Sequence, residues 1–152
     1  MTDSEFELIM RRQICSVLRL ACSYLKCRAE AEDAAQEVFL RLLTGKYTVE
    51  PGREKAWLYR VARNCCYDIL RKRKREQPEQ EGAVRDERNF EYIELISSLG
   101  QREQEIVTLK IVGGLTHREI AKAMGMTEHA VKKRYERSIQ KLREEETGWK
   151  RN

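Results

Sequence analysis

Two stretches of this chain carry cations at spacings suited to a polyanion. In the first, Arg60, Arg63, Asn64, Tyr67, Arg71 and Lys74 recur at three- and four-residue steps, which a helix brings onto one face. Cations on that face hold phosphates, while Asn64 or Tyr67 meets a base by hydrogen bonding or stacking. In the second, Glu128, His129, Lys132, Lys133, Glu136, Arg137 and Gln140 form the polar side of a helix. Val131, Tyr135, Ser138 and Leu142 form its buried side. Covalent chemistry has no comparable support. There is no glycine-rich phosphate loop, no carboxylate pair placed for general acid work and no nucleophile beside a histidine. Neither an enzyme nor a cofactor is expected.

The second stretch belongs to a helix-turn-helix. Thr116 and Glu119 have capping-box spacing, and Ile120, Ala121 and Met124 give the first helix its apolar face. Gly125 breaks that helix, and Thr127 caps the next. A plain helical hairpin has the same periodicity. The cap–glycine–cap spacing and the one-sided cations favour a second helix that enters a major groove.

The five cysteines, Cys15, Cys22, Cys27, Cys65 and Cys66, are odd in number and contain no C-x-x-C pair. Neither a disulfide framework nor a zinc site follows, and neither His117 nor His129 has a metal-ligand companion. Cys15, Cys22 and Cys65 fall on apolar stripes and are expected in the core; a redox pair at Cys65 and Cys66 is the alternative use. No apolar run reaches the length of a signal peptide or a membrane span. A cytoplasmic protein without membrane insertion is therefore expected.

Charged residues make up 36% of the 152 residues, aromatics 7%, and there are two prolines, which favours helices over sheets. The net charge of +5 is unevenly spread. Cations dominate from Arg53 to Arg75 and from Thr116 to Arg143, and carboxylates dominate between Glu76 and Glu105. Two basic modules on an acidic connection fit a nucleic-acid partner.

The apolar period predicts helix from Ser4 to about Lys26, then a connection over Arg28–Ala31. A second helix is expected from Glu32 to Leu43, with Ala34, Ala35, Val38, Phe39 and Leu42 inward and Asp33, Gln36, Glu37 and Arg41 outward. After a loop marked by Gly45, Pro51 and Gly52, a long helix is predicted from Glu54 to Lys74. Its buried stripe is Trp57 or Leu58, Val61, Ala62, Cys65 and Ile69. Glu76–Asn89 has too few large apolar residues to fold alone and reads as a flexible linker. Short helices follow over Phe90–Leu99 and Glu103–Val112, packed under the helix-turn-helix, and the tail after Arg143 is expected to fray. The fold class is all-α: two small helical domains, residues 1–75 and 90–147, joined by a flexible linker, 76–89.

Three stretches resemble the extracytoplasmic-function (group IV) sigma factors of bacterial RNA polymerase. AEDAAQEVFLRLL (Ala31–Leu43) is similar to region 2.2, and AWLYRVARNCCYDILRKRKR (Ala56–Arg75) to regions 2.3 and 2.4. The stretch from Ser98 to Arg143 resembles region 4. The resemblance implies that Asp33, Gln36, Glu37 and Arg41 dock on the clamp helices of the polymerase largest subunit; the flap region of core polymerase is a further contact it implies. It implies that the loop from Tyr47 to Arg53, with Asn64, receives a flipped base of the melted minus-ten element. Arg60, Arg63, Tyr67 and Arg71 would hold the separated strand or its flanking duplex. Lys132, Lys133, Glu136 and Arg137 would face the minus-thirty-five element, with Arg118 and Arg134 nearer phosphates. An anti-sigma factor is the further partner implied. Lys133 stands where the family often has serine, Glu136 where it has an uncharged residue, and Leu99-Gly100 replaces a frequent Leu-Pro.

The expected function is promoter recognition and melting together with core polymerase. The alternative is a stand-alone helix-turn-helix regulator of duplex operators. The first basic helix, which suits a strand more than a dimer seam, weighs against it. A recombinase or nuclease subunit lacks the clustered carboxylates or nucleophile that such chemistry requires.

Overall fold

The computed structural model describes residues 2–45, 49, 52–76 and 87–151, with backbone only at 87–91 and 147–151. All regular structure among the described residues is helical, and the chain divides into two compact units, Met1–Asn89 and Phe90–Asn152. The expected all-α class is what the structure has.

The first unit packs three helices. Helix α1 (Asp3–Leu25) starts from a Thr2–Glu5 capping box and ends at Lys26, whose φ of 55° is left-handed. Its amide donates to the Cys22 carbonyl, and Cys27 immediately opens α2 (Arg28–Thr44) as an extended N-cap. Arg28–Ala31, expected as a connection, is therefore the first turn of α2. A lysine took the left-handed position where a glycine would have announced the break. Helix α3 (Glu54–Glu76) completes the unit.

Leu20, Leu25, Val38, Phe39, Leu58 and Tyr59 fill its centre, and Ala31, Ala34 and Ala35 are buried on α2, where small side chains allow close approach. Each large side chain so buried contributes about 2 kcal/mol by removing its surface from water. On α3 the buried stripe is Leu58, Tyr59, Ala62, Cys65 and Cys66; Val61 and Ile69 are only half-buried. Tyr59 was not expected inside. Its hydroxyl donates to Gln13 Oε1 at 3.4 Å, giving the buried phenol a polar outlet. Cys22 and Cys65 are buried as expected, but Cys15 is exposed: it lies on the outer side of α1, ahead of the buried stripe that runs from Val17 to Leu25.

The second unit holds α4 (Glu87–Ile96), α5 (Gln101–Ile111), α6 (His117–Met124) and α7 (Glu128–Arg151). Helix α3 reaches Glu76 and α4 begins at Glu87, so both ends of the expected linker are helical; residues 77–86 lie outside the described set. Ile96, Leu99 and Val107 form a buried cluster with Tyr92, Tyr135 and Leu142 packed against it. Tyr92 shares a 2.8 Å hydrogen bond with Thr108. The segment after Arg143 continues α7 instead of fraying. Lys141 Nζ donates to the Ser98 carbonyl and Ser98 Oγ to Glu145, each at 2.8 Å, which ties this end of the helix to the α4–α5 turn.

Candidate nucleic-acid interface

In the first unit, α3 exposes Arg60 and Asn64 to solvent, with Arg63, Tyr67 and Arg71 on the same side. Tyr67 is fixed from two directions. Its ring lies 5.6 Å from that of Tyr24 on α1, and the Arg63 guanidinium sits 4.7 Å above its centre. The ring is thereby held in place beside an exposed amide. Arg71 pairs with Asp68 one turn earlier, and Arg53 is exposed just ahead of the helix. Tyr47, assigned to the same surface, lies outside the described residues.

The run Arg71–Arg75 is not uniform. Arg73 turns inward to Glu30 and the Leu25 carbonyl, capping α1 at its C-terminus. Its Nε is buried without a hydrogen-bond partner among the described residues. Nothing local in the sequence separates it from its basic neighbours.

On α2, Asp33, Gln36 and Glu37 are exposed, and Arg41 donates to Glu37 Oε1 at 2.9 Å. Sequence reading missed Leu40 and Leu43, which stand 52% and 53% exposed beside these groups. Their departure from the inner stripe of the helix was the available signal. Leucines rimmed by polar groups suit a protein partner more than a nucleic acid.

In the second unit the helix-turn-helix forms as its caps predict. Thr116 Oγ1 accepts from the Glu119 amide (3.1 Å), and the Thr116 amide donates to Glu119 Oε1 (2.9 Å). Gly125 takes a φ of 66°, and Thr127 Oγ1 accepts from the Ala130 amide at 3.1 Å. Val131 and Ser138 are buried and Tyr135 half-buried, which turns Lys132, Lys133, Glu136 and Arg137 outward. Arg118 is also exposed, at the start of α6. Arg134 differs from its neighbours: Nη1 donates to Glu103 Oε1 on α5. The His117 ring packs 5.6 Å from Tyr135, and its Nε2 is buried.

The thiols of α3 are poorly suited to redox work. Burial raises Cys65 above its ordinary value, and burial with Cys65 and Cys22 nearby pushes Cys66 up to about 12. Such thiols stay protonated and unreactive at neutral pH. Among the described residues no group of three or more His, Cys, Asp or Glu is placed to hold a metal ion. No described helix is long and apolar enough to cross a membrane.

Comparison with known proteins places both units. Residues 10–76 match the model of sigma-70 region 2 and residues 89–142 that of sigma-70 region 4. The chain is 28% identical to the ECF RNA polymerase sigma factor SigE of Mycolicibacterium smegmatis, over 90% of this chain and 59% of that one. It is 29% identical to BldN of Streptomyces coelicolor, over 76% of this chain and 50% of the relative. It is also 29% identical to SigV of Bacillus subtilis, over 82% of this chain and 81% of SigV. The chain thus spans little more than half the length of SigE and half that of BldN.

Two solved structures share the fold. One is the sigma factor RpoE in complex with the anti-sigma factor NepR from Bartonella quintana, with a TM-score of 0.74 and 22% identity over 92% of this chain and 95% of that one. The other is CnrH in complex with the cytosolic domain of CnrY, at 0.71 and 20% over 97% and 90%. With a region 2 unit, a region 4 unit and relatives of this one type, the chain belongs to the extracytoplasmic-function sigma factors of the sigma-70 family.

Proposed function

We propose that the chain directs core RNA polymerase to promoters and helps to melt them. The observation that carries this reading is the pairing, in one chain, of two unlike basic faces. One is built for a strand, with Asn64 exposed beside the braced ring of Tyr67; the other is a helix-turn-helix built for a groove. A regulator of duplex operators uses the second and has no task for the first.

The α2 face of Asp33, Gln36, Glu37, Leu40 and Arg41 docks on the polymerase clamp helices, and the second unit meets the flap region. Arg53, Arg60, Arg63, Asn64, Tyr67 and Arg71, with Tyr47, take the minus-ten strand. Arg118, Lys132, Lys133, Glu136 and Arg137 meet the minus-thirty-five duplex. Residues 1–75 and 90–147 serve these two tasks, with 76–89 between them. The chain acts in the cytoplasm as an initiation factor and not as a catalyst itself. An anti-sigma protein that covers the exposed α2 leucines would hold it inactive, as the partners seen with RpoE and CnrH suggest by analogy.

Co-purification of the chain with core polymerase tests this reading. Stoichiometric association is the expected result. No association, alongside tight duplex binding by the chain alone, would favour a stand-alone regulator.

A further inference from the structure

Helix α7 is tied to the start of α5 and to the turn before it along one polar edge. Arg134 Nη1 donates to Glu103 Oε1, and Lys141 Nζ donates to the Ser98 carbonyl at 2.8 Å. Ser98 Oγ donates to Glu145 Oε2 at 2.8 Å. Residues 134, 141 and 145 lie two turns and then one turn apart on α7, and Ser138 fills the gap between them. It is buried, and its hydroxyl donates to the Arg134 carbonyl at 2.7 Å. Glu103 is the third residue of α5, three places after the Gly100 N-cap. A Cβ on Gly100 would run into Glu103 Oε2, so the glycine leaves the space in which the carboxylate turns.

Arg134 thus has its charge matched from within the unit. It stands one residue after Lys133 and three before Arg137, on the flank of the surface those residues present. A guanidinium released there would reach for the nearest phosphate. A phosphate contact adds affinity for every sequence equally, whereas discrimination comes from base edges.

We propose that Glu103 is a specificity-determining residue, which holds Arg134 off the DNA backbone and so withholds a sequence-blind contact from α7. It acts on DNA only through Arg134 and is a positioning residue. The inference rests on the reading of α7 as the helix that meets duplex DNA.

The test uses the full chain and a mixed-sequence duplex of about thirty base pairs, with affinity measured by fluorescence anisotropy across a salt series. Each phosphate engaged steepens the slope of log affinity against log salt by about 0.9. Cations of both units contribute, so differences between variants are read. Glu103→Gln keeps the shape and removes the charge. It is expected to steepen the slope by about 0.9 and to raise generic affinity at low salt several-fold. Adding Arg134→Gln to it restores the wild-type slope.

An unchanged slope in Glu103→Gln would overturn the proposal. So would a flattening by about 0.9 in Arg134→Gln alone, because Arg134 would then already touch a phosphate. That single variant decides the matter even if Glu103→Gln folds poorly. Lys133→Gln tests the premise separately and is expected to flatten the slope by about 0.9. If it has no effect, the reading of α7 fails first and takes the proposal with it.

Discussion

Arg73 and Glu30 lie 43 positions apart in sequence and 2.6 Å apart in space, within the most basic run of the chain. The same guanidinium reaches the Leu25 carbonyl at 3.1 Å, so one arginine joins the end of α3 to the close of α1 and the first turns of α2. Its neighbours Arg71, Lys72, Lys74 and Arg75 remain exposed.

The basic run therefore divides into one arginine tied into the fold and four cations left on the surface. Arg73→Gln should destabilise the first unit by about 1.5–3 kcal/mol, the range for hydrogen bonds to charged groups, read from urea unfolding. Lys74→Gln should change stability by no more than about 0.5 kcal/mol while weakening DNA binding. Equal stability of the two variants would contradict the division.

The turn of the helix-turn-helix makes a second prediction. Thr116→Ala removes a reciprocal cap and should cost about 1 kcal/mol. Gly125→Ala meets open space, but its left-handed φ of 66° should make it cost about 1 kcal/mol as well. Thermal unfolding of the two variants checks both values, and neutrality of either would show that packing, not the cap, fixes the turn.

What the sequence made legible was local. The Thr116–Glu119 box, Gly125, Thr127 and the inner stripe of α2 are read from neighbours within one turn and are found as expected, while on α7 Val131 and Ser138 are buried and Tyr135 and Leu142 partly so. The misses have two physical causes. Lys26 takes a left-handed conformation that its type does not advertise, so the start of α2 was placed too late. Tyr59, Arg73 and Arg134 are settled by partners 46, 43 and 31 positions away, and no periodicity carries that information. Arginines that hold the fold and arginines left exposed look alike until the fold is known.

Cys66 gives a pH prediction. Burial, then Cys65 and Cys22, push its thiol up to about 12, so the folded chain keeps a proton that the unfolded chain loses near its ordinary value of 9.0. This contribution to stability is complete below about pH 9 and is lost as the pH rises toward 12, by up to about 1.4 kcal/mol per pH unit. Cys66→Ala should show a shallower alkaline decline in urea midpoint than the wild type. Parallel declines would contradict the assignment.

Leu40 predicts a separation of stability from partner binding. At 52% exposure, Leu40→Asp should alter stability by no more than about 0.5 kcal/mol. Its affinity for core polymerase should nonetheless fall by about tenfold or more, since truncating an anchor in a well-packed interface costs about 2 kcal/mol. Titration of labelled chain with core polymerase checks this, and undiminished affinity would place the docking surface elsewhere.

A sigma factor must both engage polymerase and read a separated strand with one chain. Transcription reconstituted from core polymerase, the purified chain and a genomic fragment library tests it most directly. Initiation at discrete sites that core alone does not use is the expected result. Asn64→Ala should lower initiation roughly tenfold, the scale of one lost base contact, while polymerase binding is retained. Initiation no different from core alone, or an Asn64→Ala variant as active as the wild type, would contradict it.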